Sequence, residues 1–281
     1  MESLKLAVAA QKLWAAGDSN DDLGFVPWPL IQVSLPASKQ PGLLWEPPPN
    51  GRLSLKIMSP HGLPYGRIPR LLIVYVTSEC VRTGSRTVEL GHSMSAFFKR
   101  LGLAVTGGRN GTVGRVKTQV LRLFTSALYV EWDDEEKTEI VGPLGIGSGI
   151  RLWRADKLDG RLLIPSSVEL GEEFAEWARR SPVPVRMRAL HALRSPVALD
   201  LYMWLSWKAA AVRVPVSVPW SLLHRQVGSE IKRERRFREV VLGHLKKIVN
   251  LYPDLRIEAT PSALVVKPSH PHVAPRPQRQ A

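Results

Sequence analysis

The feature that most constrains the fold and function of this chain is a long stretch in which every charged side chain is cationic. It runs from Leu90 to Val130 and contains no aspartate or glutamate. Its cations are Lys99, Arg100, Arg109, Arg115, Lys117 and Arg122. Two helical patterns in the stretch are joined by the glycine-rich segment Thr106–Gly111, an outline typical of a helix-turn-helix DNA-binding unit. We therefore expect that the chain binds a polyanion and is not an enzyme.

The charge of the whole chain favours the same class of partner. Lys and Arg number 39 against 25 Asp and Glu, a formal net charge of +14, as expected of a phosphate-binding protein. DNA, RNA and anionic lipid all attract such a surface, so the position of the cations must discriminate among them. The longest apolar run, Leu71–Val76, is too short to cross a bilayer and no signal sequence is evident, which predicts a cytoplasmic protein with no membrane partner. Cys80 is the only cysteine and is predicted to be a buried thiol.

Changes in composition along the chain predict an α+β fold with four parts. Residues 1–56 mix Trp14, Trp28 and Trp45 with a run of prolines and show no sustained period, which indicates a loosely structured N-terminal arm. Residues 57–185 and 186–268 are each predicted to form a winged-helix domain. Residues 269–281 are rich in proline and are predicted to be a disordered tail.

The first predicted winged-helix domain contains three helices. One helix is expected from Pro69 to about Arg82, since proline is tolerated in an opening turn. A second is capped by Ser93 and stopped by Gly102. A third is capped by Thr112, and it has an inward stripe formed by Val113, Val116, Val120, Leu123 and Phe124.

The outward face of the third helix carries the predicted base contacts. Arg115, Thr118, Gln119 and Arg122 recur at the spacing of one helical face. Arginine suits guanine edges and glutamine suits adenine, which is what a helix in the major groove requires. Lys99, Arg100, Arg109 and Lys117 are further predicted DNA contacts, and Arg109 adds charge to a glycine-rich turn that permits close approach of a phosphate. A basic face that is merely solvated has the same spacing and remains the alternative.

A β-hairpin is predicted directly after the third helix. Tyr129–Trp132 and Leu152–Trp153 flank an acidic turn, Asp133–Glu136, and a glycine-rich segment, Gly142–Gly149. A hairpin at this place would be the wing of a winged helix, although the glycines could instead form an ordered loop.

The second half of the chain repeats this order of elements. Helices are predicted to begin at Ser195–Pro196 and to cover Trp220–Val227, and a long basic helix capped by Ser229 is predicted from Glu230 to about Asn250. Extended runs at Leu255–Ala259 and Ala263–Val266 complete a second predicted wing. The predicted DNA contacts of this half are Lys232, Arg233, Arg235, Arg236 and Arg238.

Several segments together resemble the RepA-type family of plasmid replication initiators. In the first half they are His61–Arg70, Glu89–Phe98, Leu101–Leu103 and Thr106–Arg109. In the second half they are Ser195–Trp204, Val218–Trp220 and Phe237 with the basic helix that follows it. The resemblance covers about residues 58–273 and leaves the N-terminal arm outside.

This resemblance implies a function. Members of the family bind repeated double-stranded sites in the plasmid origin, help to open the adjacent duplex and bring in host replication proteins such as the replicative helicase. Related initiators act as monomers at the origin and as dimers in autorepression, so a homodimer is expected as an alternative state. The resemblance supports Thr106–Arg122 and Ser229–Arg238 as DNA contacts. No nucleotide-binding loop or metal-ligand cluster is evident, so no cofactor is expected.

Two other functions remain open from the sequence. A plasmid transcriptional autorepressor without initiator activity would share every feature above. A tyrosine recombinase or nicking enzyme is suggested by the spacing of His191 and Arg194, which could bind a scissile phosphate. Tyr202 lies too close to this pair for the usual separation, however, and Tyr252 lies beyond the second predicted DNA-binding helix.

Overall fold

The computed structural model describes residues 22–49, 53–106, 111–133, 138–152, 166–180, 182–228 and 230–273. The chain divides into two compact units. The N-unit is Phe25–Pro182, and the C-unit combines the residues up to Gly24 with those from Val183 onward. Strands β1 (Leu23–Pro27) and β9 (Pro182–Arg186) form a two-stranded sheet.

The N-unit mixes helices with two further sheets. Its helices are α1 (Pro29–Gln32), α2 (Arg67–Thr83), α3 (Met94–Arg100), α4 (Thr112–Phe124) and α5 (Glu172–Arg180). Its strands are β2 (Leu44–Trp45), β3 (Leu53–Met58), β4 (Thr87–Gly91), β5 (Ala127–Asp133), β6 (Thr138–Gly145), β7 (Gly147–Arg151) and β8 (Ser166–Leu170).

Local signals in the sequence account for the ends of these helices. Helix α2 ends at Gly84, whose positive φ of 70° closes the last turn. The Ser93 hydroxyl accepts a hydrogen bond from the Ala96 amide at the start of α3, and Gly102 follows with a φ of 64°. The predicted Ser93 cap and Gly102 stop are confirmed, whereas the Gly84 stop was not predicted. At α4 the cap differs, because the Thr112 amide donates to the Thr106 hydroxyl at 2.9 Å and Thr112 is itself the first helical residue.

The hairpins of the N-unit are arranged differently from the single predicted wing. Tyr129–Trp132 lies in β5, which pairs with β6, but this hairpin belongs to a four-stranded sheet ordered β2-β3-β5-β6. A separate sheet is ordered β4-β8-β7. Gly142–Gly149 is divided between the end of β6 and the start of β7 rather than forming one loop. The predicted acidic turn, apart from Asp133, and Trp153 lie outside the described residues.

The predicted boundary of a loose N-terminal arm at residue 56 is wrong. From Asp22 onward the described residues contribute secondary structure, including β1, α1, β2 and part of β3. Val26, Ile31, Val33 and Leu35 are buried in the core. The Arg70 guanidinium also donates to the carbonyl groups of Leu35 and Pro36. The segment lacks sequence periodicity because its contacts are made to distant elements. Residues 1–21, with Trp14, lie outside the described part.

In the described residues of the C-unit, a three-stranded sheet accompanies four helices. The helices are α6 (Met187–Ala192), α7 (Pro196–Ala211), α8 (Trp220–Val227) and α9 (Glu234–Leu251). The strands are β10 (Val216–Pro219), β11 (Ile257–Ala259) and β12 (Ala263–Val266), in the order β10-β12-β11. Ser195 caps α7, as predicted, by accepting from the Ala198 amide. Helix α9 begins at Glu234 rather than Glu230, and its predicted cap, Ser229, is outside the described residues.

Both units contain the same order of elements, namely helix, strand, helix, helix, strand, strand. The elements are α2, β4, α3, α4, β7 and β8 in the N-unit, where the β5–β6 hairpin is inserted after α4. They are α7, β10, α8, α9, β11 and β12 in the C-unit. In both, the last strand lies between the other two. The mixed helix-and-sheet class is therefore confirmed, and the two halves share one topology.

The start of the predicted C-terminal tail is packed against the C-unit. The His272 ring stacks on Tyr252 with centroids 4.4 Å apart, and its Nδ1 lies 2.8 Å from the Tyr202 hydroxyl. Its carbonyl accepts from Arg186 Nε at 3.1 Å. The prediction of disorder is thus wrong for residues 269–273, since aromatic contacts from distant elements hold them. Residues 274–281 lie outside the described part.

Candidate nucleic-acid interface

The exposed face of α4 is set by the apolar residues on its opposite side. Val116, Val120 and Leu123 are buried, and their spacing fixes the rotation of the helix about its axis. Arg115 and Thr118 are exposed on the other side, together with Gly114 and Leu121. The structure thus places these two predicted contact residues together on one surface, and their contact with DNA stays a prediction.

Gln119 does not lie on this surface, contrary to the prediction. It is only 4% exposed, and its Oε1 accepts a hydrogen bond from the Tyr65 amide at 2.9 Å. Its position at i+4 from Arg115 is correct for the outward face. However, the loop before α2 covers this part of the helix, which helical periodicity cannot reveal.

Arg122 is half-buried by the same loop. Its guanidinium lies over the Tyr65 ring, 5.5 Å from the centroid, and it donates to the Leu63 carbonyl at 3.3 Å. Ser59 Oγ in turn donates to the Arg122 carbonyl at 3.0 Å. Arg122 therefore holds the loop against α4, and the prediction that it reaches bases freely is corrected.

The other predicted cations of the N-unit differ in accessibility. Lys99 and Arg100 are exposed in the last turn of α3, where Arg100 also donates to the Tyr75 hydroxyl at 3.2 Å. Lys117 is partly exposed on α4. Arg109 lies outside the described residues, as does most of the glycine-rich turn that contains it.

The basic cluster of the C-unit is well exposed. Lys232 and Arg233 precede α9, and Arg235 and Arg236 lie in its first turns. Both of these arginines are near Glu239, with N···O distances of 3.6 and 3.1 Å. Exposed helical pairs of this kind contribute only about 0.3–0.5 kcal/mol, so the cations remain available to an anionic partner.

Arg238 makes contacts with two other elements of the C-unit. Its guanidinium lies over the Trp220 ring, 5.6 Å from the centroid, and donates to the Pro261 carbonyl at 3.1 Å. The carbonyls of the neighbouring residues Thr260 and Ser262 accept from Nε1 and the backbone amide of Trp220. These bonds fix the β11–β12 turn to the start of α8 and to α9. Arg238 is thus engaged within the fold, and its contact with DNA stays a prediction.

Sequence reasoning did not identify the loop Ser59–Tyr65 as part of this surface. Its positive-φ glycine, Gly62, is the one local signal that marks a sharp turn there, with φ of 88°. The loop contacts Gln119 and Arg122, which lie more than fifty residues away from it in the sequence.

The tyrosines considered for strand cleavage are both buried. Tyr202 has no exposed surface, and its hydroxyl accepts from the Arg186 amide at 3.0 Å. Burial raises the pKa of Tyr202 well above its usual range and raises the pKa of Tyr252 to about 12. A tyrosine nucleophile must reach its substrate and lose its proton, and burial opposes both requirements.

The sequence of this chain matches a known protein family. The RepA_C family model, described as plasmid-encoded RepA protein, matches residues 63–215, more than half of the chain. The chain belongs to this family. The resemblance to RepA-type replication initiators is therefore confirmed for this RepA_C protein. No curated relative matches it by sequence.

Two solved structures share the fold of this RepA_C protein. A selenomethionine derivative of domains 2 and 3 of RctB has a TM-score of 0.53 at 11% identity, covering 86% of this chain and 98% of that one. A second structure of RctB domains 2 and 3 has a TM-score of 0.54 at 12% identity, covering 85% and 96%. Within the described residues, no helix has the length and apolar character needed to span a bilayer.

Proposed function

We propose that this RepA_C protein is a plasmid replication initiator that binds double-stranded DNA in a sequence-specific way through two winged-helix modules. The order of helices and strands that the two units share supports this proposal, and the third helix of each, α4 or α9, would enter the major groove. The observation that carries the proposal is the repeated topology, in which exposed cations accompany the same helix in both units of a RepA-family protein.

Base recognition by the N-unit is assigned to the exposed face of α4. Arg115 can donate two parallel hydrogen bonds to a guanine edge. Leu121 is 37% exposed on the same helix and offers an apolar contact for a thymine methyl group. Gly114 has nothing within 4 Å of a hypothetical Cβ, so its exposure leaves room for close approach of a groove wall.

The C-unit is assigned a larger share of phosphate contacts. Lys232, Arg233, Arg235 and Arg236 crowd the N-terminal end of α9, where the helix dipole also favours an anion. The β11–β12 turn would serve as the wing of this module. Two modules on one chain raise the effective concentration of each other on adjacent DNA.

The initiator role adds origin opening and recruitment to DNA binding. We assign both to this chain because the RepA_C family consists of plasmid-encoded RepA proteins. Binding energy or host factors such as the replicative helicase would drive opening, with a homodimer serving autorepression. The buried hydroxyls of Tyr202 and Tyr252 favour a non-enzymatic role over nicking. An autorepressor without initiator activity would bind DNA equally well but would not maintain a plasmid.

Footprinting across the plasmid that encodes the protein tests the proposal, with protection expected at direct repeats. Arg115→Ala should weaken binding to the repeat about 5- to 150-fold, equivalent to about 1–3 kcal/mol, and should affect a random duplex far less. Arg180→Ala is the matched control, because Arg180 is an exposed arginine on α5 with one ion pair to Glu176. Equal losses on both duplexes would refute Arg115 as a base contact.

A salt titration tests the phosphate contacts of the C-unit separately. Each phosphate contact contributes about 0.9 to the slope of log affinity against log salt concentration. Changing Lys232 and Arg236 together to alanine should therefore flatten the slope by about 2. An unchanged slope would remove both residues from the interface. Loss of plasmid maintenance in the same variant would connect binding to initiation, whereas intact maintenance would contradict that connection.

A further inference from the structure

The turn Ser59–Gly62 carries an inference that deepens the proposed function and rests on it. We propose that this turn is a second DNA-contacting element of the N-unit, in which the His61 imidazole donates a hydrogen bond to a DNA phosphate. The turn precedes α2 and lies against the C-terminal half of α4.

Hydrogen bonds on both sides of His61 hold the turn in place. The Gly62 amide donates to the Ser59 carbonyl at 3.2 Å, which closes the turn. Ser59 Oγ donates to the Arg122 carbonyl at 3.0 Å, and Arg122 donates to the Leu63 carbonyl at 3.3 Å. The backbone at His61 is therefore positioned by α4 itself, so that a helix placed in the groove carries this turn with it.

The His61 side chain is exposed on this otherwise tethered turn and, unlike that of its exposed neighbour Pro60, can donate a hydrogen bond. No hydrogen bond, ion pair or ring contact of His61 is found within the described residues, and the side chain is exposed. The adjacent Gly62 has a φ of 88°, and a Cβ there would lie 3.4 Å from the Arg122 guanidinium. The turn therefore lies at the C-terminal end of the α4 surface, whose other end is marked by Arg115.

The dimensions of the helix and the groove favour a phosphate as the ligand. Arg115 and Arg122 are seven residues apart, which corresponds to about 10 Å along a helix. The major groove is about 12 Å wide, so a turn at this distance from a base-contacting Arg115 would meet the groove wall. The wall consists of sugar and phosphate, and loops commonly donate hydrogen bonds to it. Imidazole supplies an N–H donor in either protonation state.

Binding of the full chain to a specific and a random duplex over a range of salt concentrations tests this inference. His61→Ala should weaken binding to both duplexes by about 3- to 10-fold, since a phosphate contact carries no sequence information. His61→Lys should restore affinity and steepen the salt slope by about 0.9. His92→Ala, which removes another exposed histidine of the N-unit, should leave both affinities unchanged.

The outcomes separate this inference from the function on which it rests. Wild-type affinity in His61→Ala, combined with a loss of affinity in Arg115→Ala, would reject the turn as a DNA contact and leave the proposed function intact. A loss confined to the specific duplex would reject phosphate as the ligand. Absence of salt-dependent duplex binding by the wild-type protein would reject the proposed function itself. If His61→Ala lowers the melting temperature, His61→Lys still decides through the salt slope, and an unchanged slope overturns the inference.

Discussion

Replacing Gln119 by methionine should loosen the loop Ser59–Tyr65 from α4 without removing a base contact. Methionine has a similar length and fills the same space, but it is at most a very weak acceptor for the Tyr65 amide. That amide is bonded to Gln119 Oε1 at 2.9 Å. The substitution therefore isolates one hydrogen bond between two elements that are distant in sequence.

The expected magnitude follows from the burial of this bond. Leaving a buried donor unpaired costs about 1–3 kcal/mol. Gln119 is 4% exposed whereas Tyr65 is partly exposed, so the lower half of that range applies, about 1–2 kcal/mol. This corresponds to a roughly 5- to 30-fold change in the opening equilibrium.

Hydrogen exchange of backbone amides measures this opening in the full chain. Peptides from α4 and from Ser59–Tyr65 should exchange about 5- to 30-fold faster in Gln119→Met, while peptides from the C-unit should not change. Gln119→Glu keeps an acceptor oxygen at this position, now from a carboxylate, and the same peptides should exchange more slowly in it than in Gln119→Met. Unchanged exchange in Gln119→Met, together with lost preference for an adenine in the target repeat, would refute the structural role and restore Gln119 as a base contact.

Three further substitutions test the structure. Arg70→Met should lower the free energy of unfolding of the N-unit by about 3 kcal/mol, since three backbone carbonyls lose their donor; a loss below about 1 kcal/mol in urea denaturation would contradict this. Gly62→Ala should cost about 1–2 kcal/mol because its φ is 88°, and an unchanged melting temperature would oppose it. Burial raises the pKa of Tyr252 from 10.0 to about 12, so its contribution to stability is complete below pH 10 and is lost as the pH rises through 12. Tyr252→Phe should reduce the alkaline loss of stability in a pH series of C-unit unfolding and leave the part contributed by Tyr202, whose pKa burial also raises. A pH profile identical to that of the wild type would refute this.

Much of the helical framework could be predicted from the sequence because its signals are local. Ser93 and Ser195 cap helices through bonds to residues three positions away, and the glycine after α2 closes that helix. Helix α8 occupies the predicted range, Trp220–Val227. The repeat of one topology in the two halves was also predictable, because it is an order of local elements.

The candidate interface was only partly predictable. The sequence correctly separated the buried stripe of α4 from Arg115 and Thr118, since a helical period places them on opposite sides. It could not show that Gln119 is covered, because the covering loop lies far away in sequence. For the same reason the sequence could not show the contacts of Arg238 within the fold, since Trp220 and the Pro261 carbonyl come from other elements.

By itself, the sequence determined where the principal helices of both units lie, where the cations are concentrated, and which family the chain resembles. Those properties depend on residue type and on spacings of a few positions. Only the tertiary structure decided that the segment from Asp22 belongs to the folded core, that residues 269–273 pack on Tyr252, and that Gln119, Arg122 and Arg238 hold loops. The reason is physical: whether a polar side chain faces solvent depends on what packs over it, and here the covering groups come from distant parts of the chain.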